Sequence, residues 1–271
     1  MLYHLEWCQR MGIVKWLRSR TYTKIDAIPG ATALCCCVMF PGTANAEEMP
    51  NSFVRLRDIA PHMQQDVRYG TTFNFTGTIV PGYAHPECIL TRAAAEAIIN
   101  VDKYLRQRGF ALKIFDCYRP TRAVQYFQQW VASGEPSPLT RIFVPELDQR
   151  KLISLGFVAR KSSHSRGSTV DVGMIRASDA PLSTPNAAGA CDGPFKTRPL
   201  ETSLDFGTSF DCFSSKSSFD VRGLSPEARA NRQLLTYAMS NFGFKGYSRE
   251  WWHFTLSPEP YPEREFDFPV Q

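Results

Sequence analysis

The chain has 271 residues, 43% of them hydrophobic and 21% charged, with 31 Lys+Arg against 26 Asp+Glu and a formal net charge of +5. The first 46 residues carry five of the basic and two of the acidic side chains, so the 225 that follow hold 26 basic and 24 acidic residues. A remainder so evenly balanced offers no electrostatic footprint for nucleic acid, and its length suits one domain with a sizeable core and requires no second.

At the start of the chain a basic stretch from Arg10 to Lys24 leads into an apolar run, Ala27 to Phe40, and then into Pro41-Gly42-Thr43-Ala44-Asn45-Ala46. This is the layout of a secretory signal peptide: the run, about 14 residues, falls short of the roughly 20 a membrane-spanning helix needs, and Ala44-x-Ala46 presents small side chains to a signal peptidase. Cleavage after Ala46 is expected, leaving a domain over residues 47–271 that is periplasmic or secreted and has no stable membrane association. Four cysteines remain beyond the leader, Cys88, Cys117, Cys191 and Cys212. An even number in an exported protein favours disulfides. Cys191 and Cys212 flank a loop-rich stretch and are the pair expected to join, leaving Cys88 with Cys117, although four cysteines allow three connectivities.

Three helices follow from caps and periodicity. Thr91 caps a first that runs through Ala93-Ala94-Ala95 to Gln107 and stops at Gly109. Pro120 opens a second, Thr121 to Ser133, with Val124, Phe127 and Val131 on one face and Gly134 at its end. Ser225-Pro226-Glu227 begins a third that presents Leu234, Leu235, Ala238 and Met239 before Gly243. Strand-length apolar segments lie at residues 111–115, 169–174 and 251–255. Without a regular βαβ rhythm these elements point to a single α+β domain, a mainly antiparallel sheet flanked by helices. The stretch from Ala177 to Phe210, rich in Pro, Gly, Ser and Ala, reads as a long surface excursion.

Chemistry concentrates around two histidines. His164 lies in Ser162-Ser163-His164-Ser165-Arg166-Gly167-Ser168-Thr169-Val170-Asp171, where a polar turn runs into an apolar strand bearing a carboxylate that must find a partner if buried. His253 lies in Arg249-Glu250-Trp251-Trp252-His253-Phe254, where a charge among large aromatics is costly unless a cation offsets it. Two imidazoles and one carboxylate leave a fourth tetrahedral position open, the composition of a catalytic zinc site. Glu250 is three residues from His253, so on a straight strand the two would face opposite sides, and a bulge or turn at Arg249-Glu250 is required if both serve one site. Trp251, Trp252 and Phe254 are read as core and pocket wall.

These motifs, together with Asp66-Val67-Arg68-Tyr69, Asn74-Phe75-Thr76-Gly77, Asp116-Cys117-Tyr118-Arg119-Pro120 and Asp205-Phe206-Gly207-Thr208-Ser209-Phe210-Asp211, resemble in order and content the VanX-like zinc D-alanyl-D-alanine dipeptidases. The resemblance implies a hedgehog/DD-peptidase-like fold and one zinc ion per chain on His164, Asp171 and His253. It implies Glu250 as general base and acid, and Arg119 as stabiliser of the oxyanion. It also implies that Tyr69, Ser162 and Asp205 line the substrate cavity, Asp205 meeting the free ammonium of a small dipeptide, with Asp116 holding Arg119. Phe206, Ser209 and the length of the Ala177–Pro199 excursion depart from the family pattern. Two other functions compete: a zinc carboxypeptidase or endopeptidase acting on longer peptidoglycan stem peptides, and a non-catalytic zinc or peptide-binding module, against which the presence of both Glu250 and Arg119 argues.

Overall fold

The computed structural model describes residues 47–179, 189–199 and 201–271, which belong to one compact unit. The expected leader, residues 1–46, lies outside the described residues. In chain order the elements are β1 (Phe53–Arg55), α1 (Leu56–Ile59), β2 (Gln64–Gln65), β3 (Ile89–Thr91), α2 (Arg92–Arg106), β4 (Phe110–Asp116), α3 (Thr121–Ser133), α4 (Thr140–Phe143), β5 (Thr169–Arg176), α5 (Pro226–Asn241), β6 (Phe244–Tyr247) and β7 (Glu250–Leu256). The three long helices occupy the segments expected of them. Thr91 caps α2 by accepting a hydrogen bond from the Ala94 amide, and Ser225 caps α5 through the Ala228 amide at 3.0 Å, each such cap contributing about 1 kcal/mol. Gly134 ends α3 in the left-handed region at φ +64°.

A five-stranded sheet in the order β2-β4-β5-β7-β6 forms the centre, antiparallel throughout except for the parallel β2–β4 pair, and β1 with β3 makes a separate two-stranded ribbon. The fold is thus α+β, as expected; the short strands β1, β2, β3 and β6 were not legible because none is long enough to display a period. Helix α2 buries Ala94, Ala95, Ile98, Val101 and Leu105 and packs on β4 and α5. Beneath the end of the sheet that carries Asp116, Asp171 and His253, Tyr69, Phe75, Phe127, Trp130 and Phe213 meet at tilted or edge-on angles with ring centroids 4.8–6.0 Å apart. Of the stretch expected to be a surface excursion, residues 180–188 and 200 lie outside the described residues, and much of the rest is not surface. Cys191, Arg198, Phe206 and Phe210 are buried, because apolar and disulfide-bonded residues inside it dock against the sheet. Both disulfides pair as expected, Cys88 with Cys117 and Cys191 with Cys212. Among the described residues no helix is long and apolar enough to cross a membrane.

The turn bearing His164 closes at Gly167, at φ +79°, where an added Cβ would come within 2.1 Å of Cε1 and 2.5 Å of Cζ of Phe53. Gly167→Ala combines a disfavoured backbone conformation with overpacking, and urea denaturation is expected to show a loss of about 2–4 kcal/mol; a loss within 0.5 kcal/mol, about that of a surface change, would contradict this packing.

Candidate metal centre

Strand register assembles the site. Asp116 on β4 stands opposite Asp171 on β5, and Asp171 stands opposite His253 on β7. Directly opposed residues of neighbouring strands share a face, so the three side chains form one row across the sheet. Asp116 reaches that row through a bulge: Ile114 pairs with Val172 and Asp116 with Asp171, leaving Phe115 as the extra residue. His164 enters from the short 3-10 turn Ser163–Arg166 ahead of β5. Glu250 opens β7, where a second irregularity answers the geometric requirement raised by its spacing from His253. A single step on β6 from Gly246 to Tyr247 is matched on β7 by the span from Phe254 to Glu250.

Nε2 of His164 lies 3.3 Å from Oδ1 of Asp171, Nδ1 of His253 lies 3.2 Å from the same oxygen, and the two nitrogens are 3.2 Å apart. The three atoms thus form a nearly equilateral triangle, of the size expected when ligands at about 2.0–2.2 Å surround one tetrahedral ion. Oδ1 of Asp171 is buried and accepts no hydrogen bond of acceptable direction, although two nitrogens are within reach. One nitrogen or oxygen from each of His164, Asp171 and His253 is close enough to the other two to share one ion, so the donor set fits a divalent metal. It is the one such group found among the described residues.

Protonation agrees with this fit. Nδ1 of His164 lies 2.6 Å from the Cys117 carbonyl, which can only accept, so Nδ1 carries the proton and Nε2 keeps its lone pair for a metal. Nε2 of His253 lies 3.1 Å from the Ser163 hydroxyl, leaving Nδ1 toward the centre. Burial pushes His253 below the ordinary imidazole range and so favours the neutral ring a ligand requires. Burial alone would raise Asp171, but the two imidazoles beside it hold its carboxyl well below the usual carboxylate range.

Around the triangle stand the remaining polar groups. Oε2 of Glu250 is 3.6 Å from Nδ1 of His253, and its carboxyl is pushed well above the usual range by burial and then by the charges of Asp171 and Asp211. Arg119 donates from Nε and Nη2 to Oδ2 of Asp116 at 3.0 and 2.8 Å, rests over the rings of Tyr69 and Phe127, and brings Nη2 to 3.6 Å from Oδ2 of Asp171. Tyr83, which sequence reasoning missed, donates to the other oxygen of Asp116 at 2.8 Å. A cavity of about 350 Å³ opens here, lined by Tyr69, Arg119, Ser162, Ser163, His164, Asp171, Asp211, Glu250 and His253 and walled by Phe75, Phe127, Phe157, Phe213 and Trp252.

Asp205 is the exception among the expected residues. It is not in the cavity lining, because its carboxylate caps the following turn through the Gly207 amide at 2.8 Å and pairs with Arg198. The aspartate that does face the cavity is Asp211, six residues on. Tyr69 donates to its Oδ2 at 2.9 Å, and burial followed by the nearby Asp171 charge raises its carboxyl to about 7. The two aspartates look alike in sequence, and adjacency to a cysteine does not separate them, since Asp192 is next to Cys191 and lies outside the cavity lining.

A family model described as D-ala-D-ala dipeptidase matches residues 49–271. The chain is 35% identical over 223 residues to a D-alanyl-D-alanine dipeptidase of Enterococcus faecium, and 32% identical over 222 residues to one of Enterococcus faecalis (strain ATCC 700802 / V583); each alignment covers 82% of this chain and 100% of the relative. A third relative with the same description, from Streptomyces coelicolor (strain ATCC BAA-471 / A3(2) / M145), is 30% identical over 222 residues, with the same coverage of both chains.

If the three side chains hold one ion, a chelator competition titration will find His164→Ala at least about 100-fold weaker in metal affinity. Ser163→Ala, which removes only the partner of His253, is expected to weaken it about 10-fold. Unchanged affinity in His164→Ala would place the metal elsewhere.

Proposed function

This chain belongs to the D-Ala-D-Ala dipeptidase family, and we propose that it is a zinc-dependent hydrolase of D-Ala-D-Ala and similar dipeptides, exported from the cytoplasm. The observation that carries the reading is the convergence of His164, Asp171 and His253 on one point, with Glu250 beside it and Asp211 in the same cavity. Two imidazoles and one carboxylate are the ligand composition of hydrolytic zinc sites, and the fourth position is left for water or substrate. Held by His164, Asp171 and His253, zinc would lower the pKa of water from 15.7 to about 7 and would polarise the scissile carbonyl.

The chain's own residues supply the rest. Glu250, with its proton affinity raised by burial, is suited to take a proton from the attacking water and return it to the leaving amine. Arg119 is locked by Asp116 and by the aromatic rings beneath it, so its guanidinium meets the charge developing on the carbonyl oxygen without reorganising. Asp211, supported by Tyr69, receives the substrate's free ammonium, the role the sequence had suggested for Asp205. Charge balance supports this division of labour. Arg119 answers Asp116, a dication answers Asp171 and Glu250, and the substrate ammonium answers Asp211, so each of these four carboxylates of the chain meets a cation.

The cavity is at the small end of the roughly 300–1,000 Å³ spanned by small-molecule sites, which favours a dipeptide over a longer stem peptide. The leader-like composition of residues 1–46 and the two disulfides support export.

Steady-state turnover of D-Ala-D-Ala is expected to exceed that of a pentapeptide stem; the reverse order would assign the site to longer substrates. Glu250→Gln is expected to lower kcat by about 10²–10⁴ with metal content unchanged, and full activity in that variant would remove Glu250 from the mechanism. Loss of a charged hydrogen bond in Asp211→Asn should raise KM for the dipeptide by about 10–100-fold with little change in kcat.

A further inference from the structure

Two residues other than glycine have positive φ among the described residues, Thr202 at +55° and Asp211 at +63°. For a β-branched threonine this is an outlier, and for the aspartate it is uncommon enough to require support from its surroundings. Both lie at one junction. Thr202 follows Glu201, and Asp211 follows Phe210, whose amide donates to Oε1 of Glu201 at 2.9 Å. Glu201 is anchored in turn. Its Oε1 also accepts from Nη1 of the fully buried Arg68 at 3.0 Å, and its carbonyl accepts from Nζ of Lys113 on β4.

On its other side Asp211 is held equally firmly. Cys212 is bonded to Cys191, whose amide donates to the Ile142 carbonyl at 2.9 Å, and the Phe213 amide donates to the Phe143 carbonyl at 2.8 Å. The Phe210 ring lies flat on Phe115 of β4, with centroids 4.5 Å apart. Asp211 is thus a strained residue between two fixed neighbours, with its carboxylate under the Tyr69 hydroxyl.

We infer that Glu201 and the Cys191–Cys212 disulfide are positioning elements that hold Asp211 in its left-handed conformation, and through it set the selectivity of the site for a free amino terminus. The inference rests on the reading of Asp211 as the ammonium partner. Neither element touches the metal triangle, so their removal acts on recognition of the substrate's amino end rather than on metal affinity or proton transfer. Loss of structural support alone would lower thermal stability and leave the preference between free and blocked amino termini where it was.

The test compares zinc-loaded wild type with Cys191→Ala/Cys212→Ala and with Glu201→Gln and Glu201→Ala, using D-Ala-D-Ala and its N-acetyl derivative. The double cysteine variant is expected to show KM for the free dipeptide raised about tenfold, kcat within about threefold, unchanged zinc affinity and a reduced preference over the N-acetyl compound. Glu201→Gln, which keeps an accepting oxygen for the Phe210 amide, is expected to lie between wild type and Glu201→Ala. Variants that match wild type in KM and in preference, or whose losses follow zinc affinity and kcat, overturn the inference. A wild type that hydrolyses no dipeptide defeats the functional reading instead. In that case a crystal structure of the double cysteine variant decides the positioning question: Asp211 retaining its positive φ and its bond to Tyr69 overturns it, and a displaced carboxylate supports it.

Discussion

Three electron-rich atoms, the Nε2 of His164, the Oδ1 of Asp171 and the Nδ1 of His253, lie within 3.2–3.3 Å of one another in a buried site. Three such donors within reach of one point suit a shared cation, and much of the surrounding architecture fixes their positions. The sheet does so through register: Asp171 and His253 face each other across β5 and β7, so neither can retreat without breaking ladder hydrogen bonds. His164 is restrained from behind by the Cys117 carbonyl, and His253 by the Ser163 hydroxyl. Pre-placed ligands of this kind lose little conformational entropy when metal binds.

A second set of charges surrounds the first and is paired more completely. Asp116 receives Arg119 and Tyr83, and Arg119 in turn lies on the aromatic floor. Fully satisfied polar groups in a low-dielectric setting are rigid, because every alternative rotamer leaves a buried donor or acceptor unpaired. The guanidinium can therefore present one fixed edge to the cavity. Glu250 and Asp211 differ in kind: the charge of each is opposed by burial and then by the nearby charge of Asp171, and neither has a side-chain ion pair as close as that of Asp116 with Arg119. This contrast between ion-paired supports and carboxylates whose charge is opposed separates the scaffold of the site from the groups proposed to work in it.

The two disulfides lie at this boundary. Cys117 is next to Asp116 and supplies the carbonyl that orients His164, while Cys212 is next to Asp211. Each cross-link therefore immobilises the backbone of one half of the site, the metal side or the amino-terminal side. A small domain gains stability from such links by restricting the unfolded chain, and here the same bonds also limit movement of residues that form the site and its cavity.

Sequence alone determined the elements whose signals are local. The three long helices were legible from their caps and 3.6-residue period, the central strands from their apolar runs, and the candidate metal ligands from histidines and a carboxylate set where a charge needs a partner. Of three possible cysteine connectivities the expected one formed, whereas Trp251 and Trp252 were read together as core and pocket wall, and only the structure set Trp252 at the cavity and left Trp251 out of its lining. What tertiary structure alone decided were relations between segments far apart in the chain. The bulge at Phe115 brings Asp116 into line, the irregular β6–β7 pairing brings Glu250 to the side of His253, and Asp211 rather than Asp205 enters the cavity. None of these has a periodic signature, because each depends on how one backbone meets another: a one-residue slip in strand pairing reverses every side chain, and a single aspartate faces solvent, a turn or a substrate according to neighbours 130 residues or more away in the chain, as Tyr69 is from Asp211.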